Sequence, residues 1–363
     1  MKCVRSLLLL IPALALATPA LAQRDVRLAD SQEPGSVIVF PKFIKGTTPL
    51  PEGGSAPATE IEVGIVCPTG FTCPEHMPVK IRFHWVCPST EANPAGSFIC
   101  QEADFDVTAT VWEKIVLVPN GLGTTDGVGT RFVPAPPCPR GFLVGWVENT
   151  SDVPIKFDGL IGDAVLRESG SAFASYTAIP IQASPALATG QTVSLGANGG
   201  LIFDGADGHY QAVTGKVFGD VRYSNVTGPT TFATSFVTLL TLDVLSNRPN
   251  NPIAVDFNFY AGFNSALGVE NVISTSTEFI CWTEQRIDVI DGNLTTTVMG
   301  RKGTFESTAA TKFLFGTTLD GVGPVTLLGL TETVEGPTPG SAMREYINSL
   351  YNNSVVVTTT LVP

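Results

Sequence analysis

The chain has 363 residues and a net charge of −12, with 21 Lys and Arg against 33 Asp and Glu. Phosphate groups are bound by clustered Lys and Arg, so we expect no nucleic-acid partner and no binding to anionic membrane surfaces. Apolar residues make up 44% of the chain, which is enough to bury real cores and excludes wholesale disorder, and 36 Gly and 27 Pro indicate many turns.

The first 22 residues are typical of a secretory signal peptide. Lys2 and Arg5 precede an apolar run that starts at Leu7, and Ala20-Leu21-Ala22 gives the small-x-small pattern of a cleavage site. The alternative is a membrane anchor, for which the run is too short. We therefore expect residues 1–22 to be removed. The mature chain would then be secreted to the periplasm, the cell surface or the medium, with no integral membrane segment.

Alternation of apolar and polar residues predicts strands along much of the mature chain. Ile61, Val63 and Ile65 share one face of a segment in which Glu60 and Glu62 share the other. The same period of two occurs in segments 79–87, 104–111 and 253–260. Segments 141–147 and 236–245 are apolar on both faces, which is typical of fully buried strands.

Many short strands separated by turns predict an all-β fold, an antiparallel β-sandwich of immunoglobulin-like or jelly-roll-like architecture. The stretch 186–198 is the best linker candidate. It separates an N-terminal β-sandwich domain, 23–185, from a C-terminal β-rich domain, 199–363. Pairing of strands across the linker would merge the two β-rich halves into one unit.

Near the C-terminus two local patterns stand out. A hairpin is predicted where segments 287–290 and 294–298 meet across Asp291-Gly292-Asn293. One short helix is predicted from Ser341 to Tyr351, because Ser341 can cap it and apolar residues recur at helical spacing. A final strand follows this helix.

Removal of the signal peptide takes Cys3 away and leaves an even number of cysteines. They are Cys67, Cys73, Cys87, Cys100, Cys138 and Cys281. In an exported chain an even number predicts disulfides, although six cysteines allow 15 pairings. Short loops favour Cys67–Cys73 and Cys87–Cys100, which leaves Cys138 with Cys281.

Metal sites are the alternative use of some of these residues. Cys73, His76, His84 and Cys87 are zinc-ligand types, but their spacing is irregular and export favours oxidation. Two stretches resemble fragments of calcium loops, one at Asp204 and Asp207 and one at Asp288, Asp291 and Asn293. Neither is complete, and Asp, Asn and Gly are also the residues of tight turns. We therefore predict no metal and no cofactor.

Catalytic motifs are scarce. The chain lacks a G-x-S-x-G elbow and an H-E-x-x-H motif, and its only histidines are His76, His84 and His209. A Ser-His-Asp site remains open because such triads are defined in space.

Paired carboxylates are the strongest chemical signal. Glu60 and Glu62, and likewise Asp104 and Asp106, lie two apart on a strand, so each pair is separated by about 7 Å, compatible with a glycoside hydrolase. Acidic residues on the wet face of a half-exposed sheet are the explanation we favour, because most such alternations arise in this way.

Several stretches resemble an uncharacterised group of exported bacterial proteins. They are E-P-G-S-V-I-V-F-P-K-F from Glu33, P-I-K-F-D-G-L-I-G-D-A-V-L from Pro154, V-D-F-N-F-Y from Val255 and S-T-S-T-E-F-I-C-W-T-E from Ser274. The resemblance implies export and a β-rich build, and no known activity. The predicted function is that of a disulfide-stabilised, non-catalytic structural or binding protein whose partner is an unknown extracellular protein or glycan. The alternative is an extracellular glycan-acting hydrolase that uses the paired carboxylates.

Overall fold

The computed structural model describes residues 29, 32–46, 48–49, 55–56, 58–91, 98–119, 124–125, 130–131, 133–166, 173–196, 199–214, 216–221, 226–227, 232–242, 253–264, 269–290, 303–311, 326–336, 344–349, 351–352, 356–357 and 360–361. The predicted signal peptide, 1–22, lies outside the described residues. No helix among those residues has the length and apolar character to cross a membrane.

The described chain is built almost wholly of strands. The first thirteen are β1 (Val37–Ile44), β2 (Thr48–Pro49), β3 (Ser55–Ala56), β4 (Glu60–Ile65), β5 (Pro78–Glu91), β6 (Phe98–Thr110), β7 (Lys114–Leu117), β8 (Thr124–Thr125), β9 (Thr130–Arg131), β10 (Arg140–Glu148), β11 (Leu160–Leu166), β12 (Ala174–Thr177) and β13 (Ile179–Ile181). The others are β14 (Leu201–Ile202), β15 (Val213–Thr214), β16 (Lys216–Val221), β17 (Val226–Thr227), β18 (Phe232–Leu240), β19 (Ile253–Asn264), β20 (Val269–Phe279), β21 (Trp282–Arg286), β22 (Gly303–Thr311), β23 (Leu328–Gly336), β24 (Arg344–Ser349), β25 (Tyr351–Asn352), β26 (Val356–Val357) and β27 (Thr360–Leu361). A short helix, α1 (Ile287–Ile290), follows β21. The predicted all-β class is confirmed.

Two antiparallel sheets from the first half of the chain pack face to face. The inner sheet has the strand order β13-β1-β10-β5-β6, and the outer sheet has the order β12-β11-β4-β7-β8-β9. In β4, Ile61 and Val63 are buried between the sheets while Glu60 is exposed, as the alternation predicts. They share a first core with Phe83 and Trp85 of β5, so the pair of sheets forms the predicted β-sandwich.

The inner sheet is buried on both faces along β13, β1 and β10. In β10, Leu143 and Val147 face the first core, whereas Val144 and Trp146 face a second core on the other side of the sheet, as the unbroken apolar sequence predicts. The second half of the chain supplies the opposite wall of this second core. Its contributions are Leu201, Phe203, Tyr210, Val213, Leu240, Leu242, Trp282 and Leu328.

The second half forms two five-stranded antiparallel sheets. The third sheet has the order β17-β18-β23-β24, with β21 also paired to β18, and the fourth has the order β20-β19-β22-β16-β25. Two-stranded pairs β14-β27, β15-β26 and, in the first half, β2-β3 complete the described strands. Residues 234–242 are buried throughout, in agreement with the predicted burial of β18 on both faces.

The two halves of the chain contact each other closely. All sheets among the described residues combine strands of one half only, but an isolated bridge joins Ala183 to Tyr210. Leu187 and Val193, inside the predicted linker 186–198, are buried in the second core. The division into domains at 23–185 and 199–363 stays a prediction.

The six cysteines from Cys67 to Cys281 all form disulfides. The bonds are Cys67–Cys73, Cys87–Cys138 and Cys100–Cys281. The predicted pair Cys67–Cys73 is therefore confirmed. The predicted pairs Cys87–Cys100 and Cys138–Cys281 are wrong.

The reason is the face on which each sulfur lies. Cys87 follows Trp85 by two residues and so shares its face of β5, and its partner Cys138 packs against the first core. Cys100 lies on the neighbouring strand but packs against the second core. Sulfurs on opposite faces of a sheet are too far apart to bond, although the loop between them is short.

Two predictions near the C-terminus are wrong. The segment predicted as a helix, 341–351, contains strand β24 instead, because residues 344–349 pair with β23 over six consecutive positions. Such pairing within a sheet outweighs helical spacing in a short segment. The first arm of the predicted hairpin, residues 287–290, is helix α1, and the turn at 291–293 lies outside the described residues.

Candidate functional site

A cleft of about 490 Å³ opens on the solvent-facing side of the outer sheet, where β4 runs between β7 and β11. Because Ile61 and Val63 point into the first core, the residues between and after them point outward. One is Gly64, where a Cβ would lie 3.0 Å from Cγ1 of Ile161. The Ile161 side chain covers this glycine, so a larger residue at this position would press against it. The side chains that surround it are Glu62, Trp112, Lys114, Ile161, Asp163 and Thr177.

Trp112 is the most unusual residue of the cleft. It lies in the turn before β7 with a φ of 76°, and it is 72% exposed. A bulky residue adopts positive φ only where its surroundings enforce it, at a cost of about 1–3 kcal/mol. Here the backbone is fixed by a hydrogen bond of 2.7 Å from the Trp112 amide to the Ile65 carbonyl. The turn therefore presents a large aromatic face to solvent on a rigid support.

Three charged groups lie beside this aromatic face. Glu62 and Asp163 are directly opposite each other on β4 and β11, and Lys114 donates a hydrogen bond of 2.6 Å to Glu62. Partial burial and the negative charge of Glu62 raise the pKa of Asp163, against the opposing effect of Lys114. The cleft therefore combines a carboxylate that accepts a hydrogen bond from a lysine, a second carboxyl group whose pKa is raised, and an exposed aromatic side chain.

The two predicted carboxylate pairs do not form one site. Glu60 and Glu62 lie on β4 of the outer sheet, whereas Asp104 and Asp106 lie on β6 of the inner sheet. Glu60 is exposed at the start of β4, opposite Val165, while its predicted partner Glu62 faces Asp163. The sequence suggested no link between Glu62 and Asp163 because they are on different strands. Trp112 was also missed, since exposure and φ are not visible in the sequence.

Asp104 and Asp106 serve an exposed ladder of ion pairs on the inner sheet. Arg82 contacts Asp104 and lies 3.2 Å from Asp106, which is also 3.0 Å from Lys80. Burial would raise the pKa of Asp106, but hydrogen bonds from Lys80 and Arg82 outweigh it and lower the pKa. Both carboxylates are thus neutralised by cations of the neighbouring strand, as in the wet-face alternative.

The residues weighed for zinc do not converge. Cys73 and Cys87 belong to different disulfides, and the His76 side chain is 80% exposed. His84 is buried, 3.2 Å from a carboxylate oxygen of Glu102. Among the described residues no three His, Cys, Asp or Glu side chains are grouped to hold a metal.

The calcium-like stretch at Asp204 forms a loop between Phe203 and Tyr210. One Asp204 oxygen accepts a hydrogen bond of 2.8 Å from the Ala206 amide and lies 2.9 Å from Nδ1 of His209. These contacts stabilise a turn, as expected for Asp beside Gly. Asp207 is exposed, and of the second calcium-like stretch only Asp288, in α1, is within the described residues.

A second cleft, of about 570 Å³, lies where the Cys67–Cys73 loop approaches residues 182–189. Phe71 of the disulfide loop is 37% exposed at its rim. On its floor Asp158 accepts hydrogen bonds from the Ser36 hydroxyl, 2.6 Å, and the Ala183 amide, 2.8 Å. Burial raises the pKa of Asp158, and those two donors oppose it. The Asp158 carboxylate on this floor is thus engaged by the protein itself, and we take the first cleft as the candidate site.

Comparison with known proteins gives little guidance. No family model and no curated protein matches the chain. One similar solved structure is described as "Crystal structure of the T13 IBDV viral particle reveals a missing link in icosahedral viruses evolution". The alignment covers 92% of this chain and 73% of that chain at 11% identity, with a TM-score of 0.15. A similarity at this level carries no argument about fold or function.

Proposed function

We propose that this protein is an exported, cell-surface or secreted binding protein that recognises an extracellular partner in the Trp112 cleft and catalyses no reaction. The single observation that carries the proposal is the exposed, backbone-fixed Trp112 beside Glu62, Lys114 and Asp163. Concave sites that combine apolar surface with a few placed polar groups are typical ligand sites. A rigid aromatic anchor is typical of recognition surfaces.

Export is supported by the sequence of residues 1–22 and by the cysteines. Disulfides persist in oxidising compartments, and all six mature cysteines are paired. Surface display after removal of the signal peptide would place the cleft in contact with proteins or glycans outside the cell. The carboxylate oxygens of the cleft favour a ligand rich in hydrogen-bond donors, such as hydroxyl or amino groups.

The test is binding of the mature, disulfide-bonded chain to a glycan panel and to proteins of the producing cell's own envelope. Trp112→Ala should lower affinity for the captured ligand by at least about tenfold, since an aromatic anchor contributes about 2 kcal/mol or more. Phe71→Ala is the matched control, because it truncates an exposed aromatic side chain in the second cleft. Equal binding by wild type and Trp112→Ala would contradict the proposal.

A second candidate is the glycan-acting hydrolase, with a different carboxylate pair from the one predicted. Directly opposed strand residues have Cα atoms about 4.5–5.5 Å apart, so Glu62 and Asp163 are close enough for the two-carboxylate chemistry of retaining glycosidases. The raised pKa of Asp163 suits a general acid, and Glu62, held by Lys114, suits a nucleophile. Turnover of a glycan by wild type, lost in Glu62→Gln and kept in Glu60→Gln, would favour this candidate over binding alone.

A further inference from the structure

Four charged side chains meet where β1 packs against the second half of the chain. Lys42 on β1 and Glu332 on β23 have no solvent exposure, and the side chains of Glu284 on β21 and Arg140 on β10 are 8% and 12% exposed. The Lys42 ammonium contacts one oxygen of each carboxylate. Arg140 donates a hydrogen bond of 2.6 Å to the other oxygen of Glu284. None of these residues lines either cleft, so the proposed function leaves the group unexplained.

A β-bulge in β1 directs the Lys42 side chain toward Glu284 and Glu332. The register of β1 against β10 shifts at residues 40–43, and such a β-bulge turns a side chain to a new direction. The Tyr176 hydroxyl donates to the carbonyl of Lys42, and the Trp282 indole donates to the carbonyl of Pro41 over 2.8 Å. The bulge is thus held from both sides, which fixes the backbone from which the Lys42 side chain reaches the two carboxylates.

Burial changes the reactivity of these groups. Removal from water disfavours charge, so the transfer of a proton from an ammonium to a carboxylate costs far less here than at a surface. A desolvated lysine amine is a competent nucleophile, and fixed proximity replaces a bimolecular encounter.

The two carboxylates differ in their surroundings. Burial raises the pKa of Glu284, but the charges of Lys42 and Arg140 outweigh it, so the pKa of Glu284 is lowered and the group stays ionised. Glu284 contacts the ammonium through one oxygen while Arg140 holds the other, so its position, not its lowered pKa, makes it the proton acceptor. Glu332, the other carboxylate in contact with the ammonium, has no solvent exposure and is then the group that the amine attacks.

We propose that Lys42 and Glu332 form an intramolecular isopeptide bond. Glu284 accepts a proton from Nζ of Lys42, and the neutral amine attacks Cδ of Glu332. The amide forms as one Glu332 oxygen leaves. Of the three ammonium protons one stays on the amide nitrogen and two depart with that oxygen as water, one of them carried by Glu284, which ends ionised as it began. Atoms and charge balance without a co-reactant.

The product would be a covalent link between residues 290 apart in sequence. It would join the first strand to the third sheet and lie near the interface that Cys100–Cys281 also spans. Unlike a disulfide, an amide is unaffected by reductant. An exported structural protein would gain a lock between its two halves that survives a change of redox conditions.

The decisive measurement is mass spectrometry of the wild-type mature chain, reduced and denatured. We expect a mass lower than that of the sequence by one water, and a branched peptide joining Lys42 to Glu332 after proteolysis. Because cyclisation of an N-terminal Gln23 would remove ammonia, the branched peptide is the deciding species. Folded wild type with a linear peptide at Lys42, or with Lys42 joined to Glu284, overturns the proposal.

Two conservative variants test the roles of the carboxylates. Glu332→Gln should still cross-link but release ammonia in place of water, since its amide is attacked in the same way. Glu284→Gln keeps the shape of the site and removes the base, so we expect it to lack the branched peptide while its three disulfides still map as in wild type. A cross-linked Glu284→Gln variant would overturn the role of Glu284, and folded Glu332→Gln without the link would count against attack at Cδ.

Discussion

The disulfide between the two halves should stabilise the protein more than either of the others. In the chain-entropy model the stabilisation grows with the logarithm of the closed loop, which gives about 5 kcal/mol for the 181-residue separation of Cys100 and Cys281. The same relation gives about 4 kcal/mol for Cys87–Cys138, at a separation of 51, and about 2 kcal/mol for Cys67–Cys73, at a separation of 6. The double variant Cys100→Ala/Cys281→Ala should therefore lose the most stability.

Guanidinium unfolding of the three double-alanine variants, each with its other two disulfides intact, measures this order. Cys281 has no solvent exposure, so its replacement also removes packing in the interior and adds to the loss. Cys67→Ala/Cys73→Ala is the matched control, because it deletes the same atoms from a short surface loop. Equal losses in the control and in the Cys100→Ala/Cys281→Ala variant would refute the argument that loop length sets the stabilisation.

Three smaller changes test the polar interior and the charged surfaces. Ser36→Ala should lower the free energy of unfolding by about 2–3 kcal/mol, because the Phe157 amide loses a buried hydrogen bond and the Asp158 carboxylate loses a partly buried one. A loss under about 0.5 kcal/mol would contradict this. The pKa of Asp163 is raised above the ordinary 3.8, so the folded protein holds a proton on this carboxyl group that the unfolded chain releases. The free energy of unfolding should therefore fall as pH rises from 3.8 through the pKa of the folded state. Asp163→Asn should abolish this fall in unfolding curves measured across pH. Asp106 has a lowered pKa, so its contribution to the free energy of unfolding is present above pH 3.8 and is lost as pH falls through the pKa of the folded state. Asp106→Asn should abolish this loss of stability at low pH. If the two Asn variants changed stability with pH in the same way, both pKa assignments would be wrong.

The strands were the most predictable feature because the pattern that predicts each one lies within its own segment of the sequence. In β4 the period of two assigned Ile61 and Val63 to the core and Glu60 to solvent, and the structure agrees. The two-sided burial of β10 followed from its unbroken apolar sequence. The same logic fails at His84, which alternation places on the wet face with Lys80. The second half of the chain covers that end of the face, and nothing local to β5 reveals the cover.

Pairings between distant segments were less predictable. The choice of Cys87–Cys100 rested on loop length, which ignores the face on which each side chain lies. The helix predicted at 341–351 rested on spacing, which ignores the hydrogen bonds that β23 offers to residues 344–349. In both cases a sheet formed by remote residues decided the outcome. Single-sequence patterns carry no information about register between such strands.

Sequence patterns also could not show which residues of different strands meet in the candidate cleft. Glu62 was visible as a carboxylate on the outer face, but its neighbour was sought two residues away on the same strand. The opposing carboxylate comes from Asp163, on β11, and the aromatic surface comes from a turn before β7. A cleft assembled from four strands and a turn is a property of the sheet order. Composition and motifs could identify its parts and could not bring them together.

The buried charges did leave a signal in the sequence. Lys42 is the one charged residue of β1, in which every position is buried, and Glu332 lies within β23, where the buried run extends from Leu328 to Val334. A charge inside a strand that is buried on both faces must be paired, since an unpaired buried charge is too costly to keep. Two such isolated charges of opposite sign are therefore each other's natural partners, however far apart they lie in the chain. The mass of the mature chain then distinguishes an ion pair, which leaves the mass unchanged, from an amide, which lowers it by one water.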